Sequence, residues 1–385
     1  VSWTPVLTGE LAERAIAKAR EIAIDHAARK AATPADRALF WAYASAAFDE
    51  PFANEAYDLA LDELVTALHR PAPHLGLFGG LANAGWVLCH VLDPDDTADS
   101  LDAIDDALRG AMAGESWTGA HDLIEGLAGF GVYFLERIAH GGGEHTIEGL
   151  ARVVAQLDRT ATRTDAGVTW HTPLSILPPS FASEYPAGFY DCGIAHGVPG
   201  MIGVLARAAA HVESARPLAL DARRWLEAQR AVGTFPGKLA GPELAAAEPA
   251  RTAWCYGDPG VALGLWSANV AFGGAVTDPC ELALAAMSRD VTTARVVDAT
   301  VCHGAAGLGH LCHRFFRASG VLAFADHART WFTRAIEMPV PDEPAVLDGS
   351  AGVALALLAA ATTSEPGWDR LLLSDLVPSA PNDEG

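Results

Sequence analysis

The chain has 385 residues, 50% of them hydrophobic and 19% charged, with a formal net charge of −22. The apolar half is enough for a sizeable core and argues against extended disorder. The acidic balance argues against nucleic acid as a partner, because that binding depends on neutralising phosphates; a basic or neutral peptide would be tolerated, and plain solubility also accounts for the charge.

In chain order, the opening residues Val1–Glu10 show no basic stretch followed by an apolar run, so no signal peptide is expected. Helical periodicity starts at once. Over 9–30, Leu11, Ala15, Ile16, Ile22 and Ala23 recur at helical spacing with charges between them. Similar patterns occupy 55–69, 98–112, 146–157, 202–213, 216–230 and 322–336, and strand-like alternation is rare. No uninterrupted apolar run reaches the ~18 residues of a membrane span, so the expectation is a cytoplasmic protein.

Between these patterns a glycine-rich turn leading into an apolar run recurs six times, from Gly80, Gly126, Gly197, Gly257, Gly304 and Gly349, at spacings of 46, 71, 60, 47 and 45 residues. The short period holds two helices and two turns, since a helix averages about 11–12 residues. Six helical hairpins of near-equal period predict an all-α (α/α)6 toroid, a single domain over 1–377. The apolar helices form its inner ring, and the glycine turns gather at one mouth. An open solenoid is the alternative, and the lack of a polar capping repeat favours closure. The longer intervals, 159–190 and 231–252, are rich in turn formers and read as loops; placed just before His196 and Cys255 they would line a cleft, with plain spacers as the alternative. Residues 378–385 read as a disordered tail. Asn83 replaces a glycine in the first repeat and His74 precedes it; both read as structural.

Three turns carry unusual residues: Ala195-His196-Gly197, Trp254-Cys255-Tyr256-Gly257-Asp258 and Cys302-His303-Gly304. Cys255, Cys302 and His303 offer two soft sulfurs and an imidazole, which suits zinc with three protein ligands and one open position. A turn before a helix lets adjacent Cys302 and His303 both ligate. From spacing alone a metal site and buried cysteines fit equally well, because a free cysteine is usually a small buried hydrophobe. That plainer reading holds for Cys89, Cys192, Cys280 and Cys312. Cys312-His313 repeats the Cys-His pair inside an apolar helix and serves as a decoy.

The turns at 254–260, 302–307 and 195–200, with a fourth at Asp122-Leu-Ile-Glu-Gly, resemble the motifs of the lanthionine synthetase C-like family, in order over roughly residues 75–360. The chain is similar to the free-standing cyclases of class I lantibiotic synthesis. The resemblance implies an α/α toroid and a zinc-dependent reaction on a dehydrated, leader-bearing precursor peptide. Zn2+ on Cys255, Cys302 and His303 would turn a peptide cysteine into a thiolate. That thiolate would attack dehydroalanine or dehydrobutyrine and close a (methyl)lanthionine ring. His196 is the implied acid for the resulting enolate, with a hydrogen-bonded structural histidine as its plain alternative. Asp122 would receive the thiol proton or orient His196, with helix capping as its plain alternative. Arg251 would hold Asp122 or the enolate oxygen, with a surface charge as the alternative. Tyr256 and Trp254 read as cleft wall; His121, His171, His310 and Asp258 have no assigned role. The resemblance also implies a complex with a dehydratase and an exporter, peripheral at the membrane. The extra subdomain of some members has no room in any gap, which bears on leader recognition rather than catalysis.

Three rival readings accompany this one. A prenyltransferase-like α/α barrel also activates thiols on zinc, but would use an aspartate ligand. A relative that adds glutathione to dehydrated residues would share the metal chemistry. A non-catalytic scaffold for the leader peptide would hold no zinc.

Overall fold

The structure, a computed structural model, describes residues 2–28, 32–70, 72, 74–231, 233–242 and 250–378. In chain order its helices are α1 (Gly9–Ala28), α2 (Pro34–Phe48), α3 (Pro51–Leu68), α4 (Leu81–Val91), α5 (Pro94–Ala111), α6 (Leu127–Ala139), α7 (Glu144–Thr160), α8 (Val198–Ala208), α9 (Ala215–Ala228), α10 (Asp258–Phe272), α11 (Thr277–Met287), the single turn α12 (Val291–Ala294), α13 (Ala305–Ser319), α14 (Leu322–Glu337) and α15 (Ser350–Ala361). The strands β1 (Thr162–Thr164) and β2 (Gly167–Thr169) form a hairpin. A second antiparallel sheet, in the order β3-β4-β5, joins β3 (His171–Thr172), β4 (Phe189–Asp191) and β5 (Lys238–Leu239).

Each glycine turn opens an inner helix. α15 is Ser-Ala-Gly-Val-Ala-Leu-Ala-Leu-Leu-Ala-Ala-Ala, and every residue from Ser350 to Ala360 is buried. A helix apolar on all sides is stable only when surrounded. The outer helices bury one stripe: in α7 it is Thr146, Gly149, Leu150, Val153, Val154 and Leu157. Two glycines have a specific structural need. Gly257 has φ +109, a conformation side chains avoid. At Gly264 a Cβ would lie 2.5 Å from the carbonyl oxygen of Pro199, so its absence lets α10 approach α8.

The all-α toroid of inner and outer helices is present, and the six glycine-led helices all take inner places. α2 adds one more. It packs between α15 and α4 and closes the ring, so the described residues hold seven inner helices, which corrects the hairpin count from six to seven. The reason is its cap. α2 starts at Thr33-Pro34, with the Thr33 hydroxyl accepting from the Asp36 amide, and no glycine marks it. The seventh hairpin is made of distant pieces, α1 against α15. Trp3 Nε1 donates to the Ala359 carbonyl at 2.7 Å, and the Val6 and Leu7 amides both reach Ala360.

At the mouth, backbone hydrogen bonds stitch each turn to the next. Leu77 N donates to Ile124 O, Leu123 N to Ala195 O, Ala195 N to Cys255 O, Cys255 N to Cys302 O and Cys302 N to Leu347 O, over 2.9–3.4 Å. Turn residues distant in sequence therefore become neighbours in fixed register.

At the opposite end the 3-10 turn Gly367–Leu372 plugs the ring. Asp369, fully buried, accepts from Arg314 at 2.6 and 2.8 Å and pairs with His310 at 2.6 Å. Arg370 binds Glu136, and Arg207 binds Asp375. Arg314, Glu136 and Arg207 lie in the C-terminal halves of α13, α6 and α8, away from the glycine turns. Of the expected tail, residues 379–385 lie outside the described residues, as do 243–249 of the second long loop.

Candidate active site

The fourth and fifth turns, joined by the Cys255–Cys302 backbone bond, carry the first half of the site. One ligand atom from each of Cys255, Cys302 and His303 falls within 4.8 Å of the others. The two cysteines are buried and His303 is half-buried. His303 Nε2 lies 3.0 Å from Asp298 Oδ2, and Asp298 is itself held by the Thr300 amide and hydroxyl at 2.8 and 2.7 Å. Nε2 is thus committed to a carboxylate, which leaves Nδ1 for the sulfurs.

The electrostatics single out the same residues. A hydrogen bond from Cys302 pulls the Cys255 thiol well below the usual thiol range, with help from His303 and the Arg251 charge and against burial. The same contact, with burial, pushes Cys302 up, so one thiol donates to the other. The Asp298 hydrogen bond raises His303 to about 9. Elsewhere burial raises the thiols: Cys89 to about 12, and Cys192, Cys280 and Cys312 upward as well. All six cysteines are free. Two sulfurs and an imidazole braced by a carboxylate are a donor set that fits zinc with one coordination position left over. The decoy is core: Cys312 Sγ contacts Met287 Sδ and His313 Nε2 binds the Thr4 carbonyl.

The second half comes from the second and third turns. The Leu123–Ala195 backbone bond places Asp122 Oδ2 2.6 Å from His196 Nδ1. Asp122 Oδ1 also accepts from the Glu125 amide at 2.9 Å, a bond within the turn; α6 is capped at Gly126 without a side-chain bond, so Asp122 is not its cap. Burial works to lower the His196 pKa, but the hydrogen bond and charge of Asp122 outweigh it and leave the pKa raised.

His196 and Asp122 open on a cavity of about 590 Å³. Tyr256 forms part of its wall, as expected, with its ring 6.2 Å from the His196 ring and its hydroxyl donating to Asp191 at 2.6 Å. The first long loop supplies the apolar wall, including Ile176, Pro178, Phe181 and Phe189. Arg251 does not line this cavity. Its charge acts on Cys255 and His303, and among the described residues no hydrogen bond or ion pair joins it to Asp122.

The unassigned residues divide. His121 lines the cavity, and burial lowers its pKa to about 4. His310 belongs to the plug, His171 binds the Ala187 carbonyl, and Asp258 accepts from Thr234, Phe235 N and Arg289. His74 Nδ1 accepts from the Gly76 amide, a structural role. Sequence reasoning passed over Lys238 and Asp191. Asp191 stands five residues before His196, and Lys238 is one of only three lysines in the chain, which is a signal that was available.

A closed α/α ring with a sulfur and imidazole triad at adjacent turns, beside a carboxylate-braced histidine, defines a class. The profile described as "Lanthionine synthetase C-like protein" matches residues 37–373, and the chain belongs to that family. Among solved structures it is similar to the nisin cyclase, with a TM-score of 0.80 and 19% sequence identity over 93% of this chain and 96% of that one; at this identity the likeness is one of fold. Comparison with curated protein sequences returns no match.

Proposed function

We propose that the protein is a zinc-dependent lanthipeptide cyclase. It adds cysteine thiols of a dehydrated precursor peptide to dehydroalanine and dehydrobutyrine, closing lanthionine and methyllanthionine rings. The observation that carries this is the juxtaposition of the Cys255, Cys302 and His303 triad with the Asp122–His196 pair at neighbouring turns of one mouth. Zinc held by the triad would supply a Lewis acid that lowers the pKa of a substrate thiol toward neutrality.

The chain's own residues do the rest. Asp298 fixes the His303 ring so that one nitrogen faces the sulfurs. Arg251 places positive charge beside the triad and favours ionised sulfur there. His196, with Nδ1 held by Asp122, presents Nε2 to the cavity and delivers a proton to the substrate α-carbon. Asp122 keeps that proton available by stabilising the charged ring. The apolar loop wall limits water at the carbanionic centre.

The same reading makes the substrate a leader-bearing peptide. It places the protein in the cytoplasm beside a dehydratase and an exporter; among the described residues no helix is long and apolar enough to cross a membrane. The test is cyclisation of a dehydrated precursor by the zinc-loaded chain. Ring closure leaves the peptide mass unchanged while removing thiols from alkylation. A peptide that keeps every alkylatable thiol overturns the reading, and a mass gain of one glutathione per site points to the thiol-adding alternative.

A further inference from the structure

Addition of sulfur to a dehydroalanine pushes an electron pair onto the neighbouring carbonyl oxygen, and that oxygen needs a partner. Arg251 was one candidate, but it stands with the triad and does not line the cavity that His196 faces. Among the described residues, the one lysine or arginine that does line it is Lys238.

Lys238 is held in place from several sides. In the β4–β5 ladder it pairs directly with Asp191, so backbone register sets its position. Asp191 is tied in turn to the third glycine turn, accepting from the Gly193 amide at 2.7 Å. The ammonium sits 3.8 Å from the centre of the Tyr256 ring, 5.3 Å from that of Phe189 and 5.8 Å from that of Phe181. Its side chain is 18% exposed, and its distance to Asp191 Oδ2 is 4.0 Å, an ionic contact too long for a hydrogen bond. Aromatic faces attract the cation without consuming its N–H donors. What remains is a poorly hydrated ammonium with unspent donors in the cavity of the proposed acid. Its charge is felt at His196.

Resting on the cyclase reading above, we propose that Lys238 is a catalytic residue: its ammonium holds the carbonyl oxygen of the dehydrated residue and balances the negative charge that develops there. The electrons balance without any redox partner. A sulfur lone pair forms the S–Cβ bond, the Cα=Cβ pair moves between Cα and the carbonyl carbon, and the carbonyl pair moves to oxygen beside Lys238. Return of that pair forms the Cα–H bond with the Nε2 proton of His196. The proton shed by the substrate thiol replaces it through solvent. The Tyr256, Phe181 and Phe189 rings position the cation and keep water from it.

The rival is that Lys238 only clamps the loop wall. A synthetic peptide with one dehydroalanine and one cysteine at ring-forming spacing separates the two. It is given to zinc-loaded wild type, Lys238→Met, Lys238→Gln and Lys238→Arg, with zinc content and circular dichroism recorded for each. Losing one oxyanion partner typically costs about 10²–10³-fold in kcat, with KM held within about threefold, and that is the expected result for Met and Gln. Arg should recover at least about tenfold of the loss, since it restores charge and donors. A kcat for Met and Gln within about threefold of wild type overturns the proposal, as does a loss confined to KM. Wild type that holds zinc and closes no ring overturns the cyclase reading itself, a separately visible result.

Discussion

The carboxylate of Asp122 meets Nδ1 of His196 at 2.6 Å although the two residues are 74 apart in the chain. Each sits in a different glycine turn, and the Leu123–Ala195 backbone bond brings the turns together. The contact settles the tautomer: with Nδ1 engaged, the face toward the cavity is Nε2.

Asp122→Asn should therefore keep its zinc yet slow ring closure by up to about 10²-fold, no more than the low end of what general acid help is worth, since His196 itself remains. The pH profile carries the sharper test. Asp122 raises the His196 pKa, and activity that needs the acid form is lost as pH rises through that pKa. An amide cannot support the charged ring equally well, so the alkaline limb should move to lower pH. A limb that stays in place would mean that Asp122 serves the thiol proton instead.

For the metal, Cys302→Ala and His303→Ala should lose the roughly one zinc per chain that wild type carries, while Cys312→Ala and His196→Ala keep it. Asp298→Asn removes the brace on His303 Nε2 and should weaken zinc by about 10–100-fold in a chelator competition. Full zinc affinity in both Cys302→Ala and His303→Ala would refute the assignment.

Asp36 allows a stability test away from the site. It lies in the first turn of α2 with its carboxyl buried, and burial raises its pKa to about 6, with accepted hydrogen bonds opposing. A raised carboxylate pKa means stability that is full below the unfolded value of 3.8 and lost as pH rises through about 6. Asp36→Asn should therefore be more stable than wild type at pH 8, by up to about 3 kcal/mol, and should lose that advantage by about pH 4. Urea unfolding at both pH values reads the difference.

The plug should be sensitive to half-removal. Arg314→Met leaves Asp369 buried without its main cation, and breaking such a pair typically costs about 3–5 kcal/mol. Guanidinium unfolding monitored by circular dichroism should show this. A double variant, Arg314→Met with Asp369→Leu, should recover part of the loss, because it removes the stranded charge as well.

The sequence was most legible where backbone demands restrict residue choice. Glycines at 80, 126, 197, 257, 304 and 349 marked six inner helices, because each turn carries closely packed backbone. α2 was invisible to that signature, since a Thr-Pro cap meets the same need by another route. The helix expected over 202–213 begins at Val198, because Pro199 sits in the first turn, where a missing N–H costs nothing. The triad and the Asp122–His196 pair were legible because their chemistry is distinctive. Lys238 was only half legible: its loop, 231–252, read as cleft-lining, but which of its residues reaches the cavity is fixed by the pairing of β4 with β5.

The join between α1 and α15 has a consequence for how the molecule is made. Trp3 and Ala359, 356 positions apart, must meet before the circle exists. Of the described helices α1 is translated first, and it waits with Ala15, Ala19, Ile22 and Ala23 uncovered until its partner leaves the ribosome. Contacts of such separation slow folding, because chain entropy is lost before they form. Closing this clasp should be the late and slow event of biogenesis, and a chain stalled short of α15 should be the species most prone to stick to its neighbours.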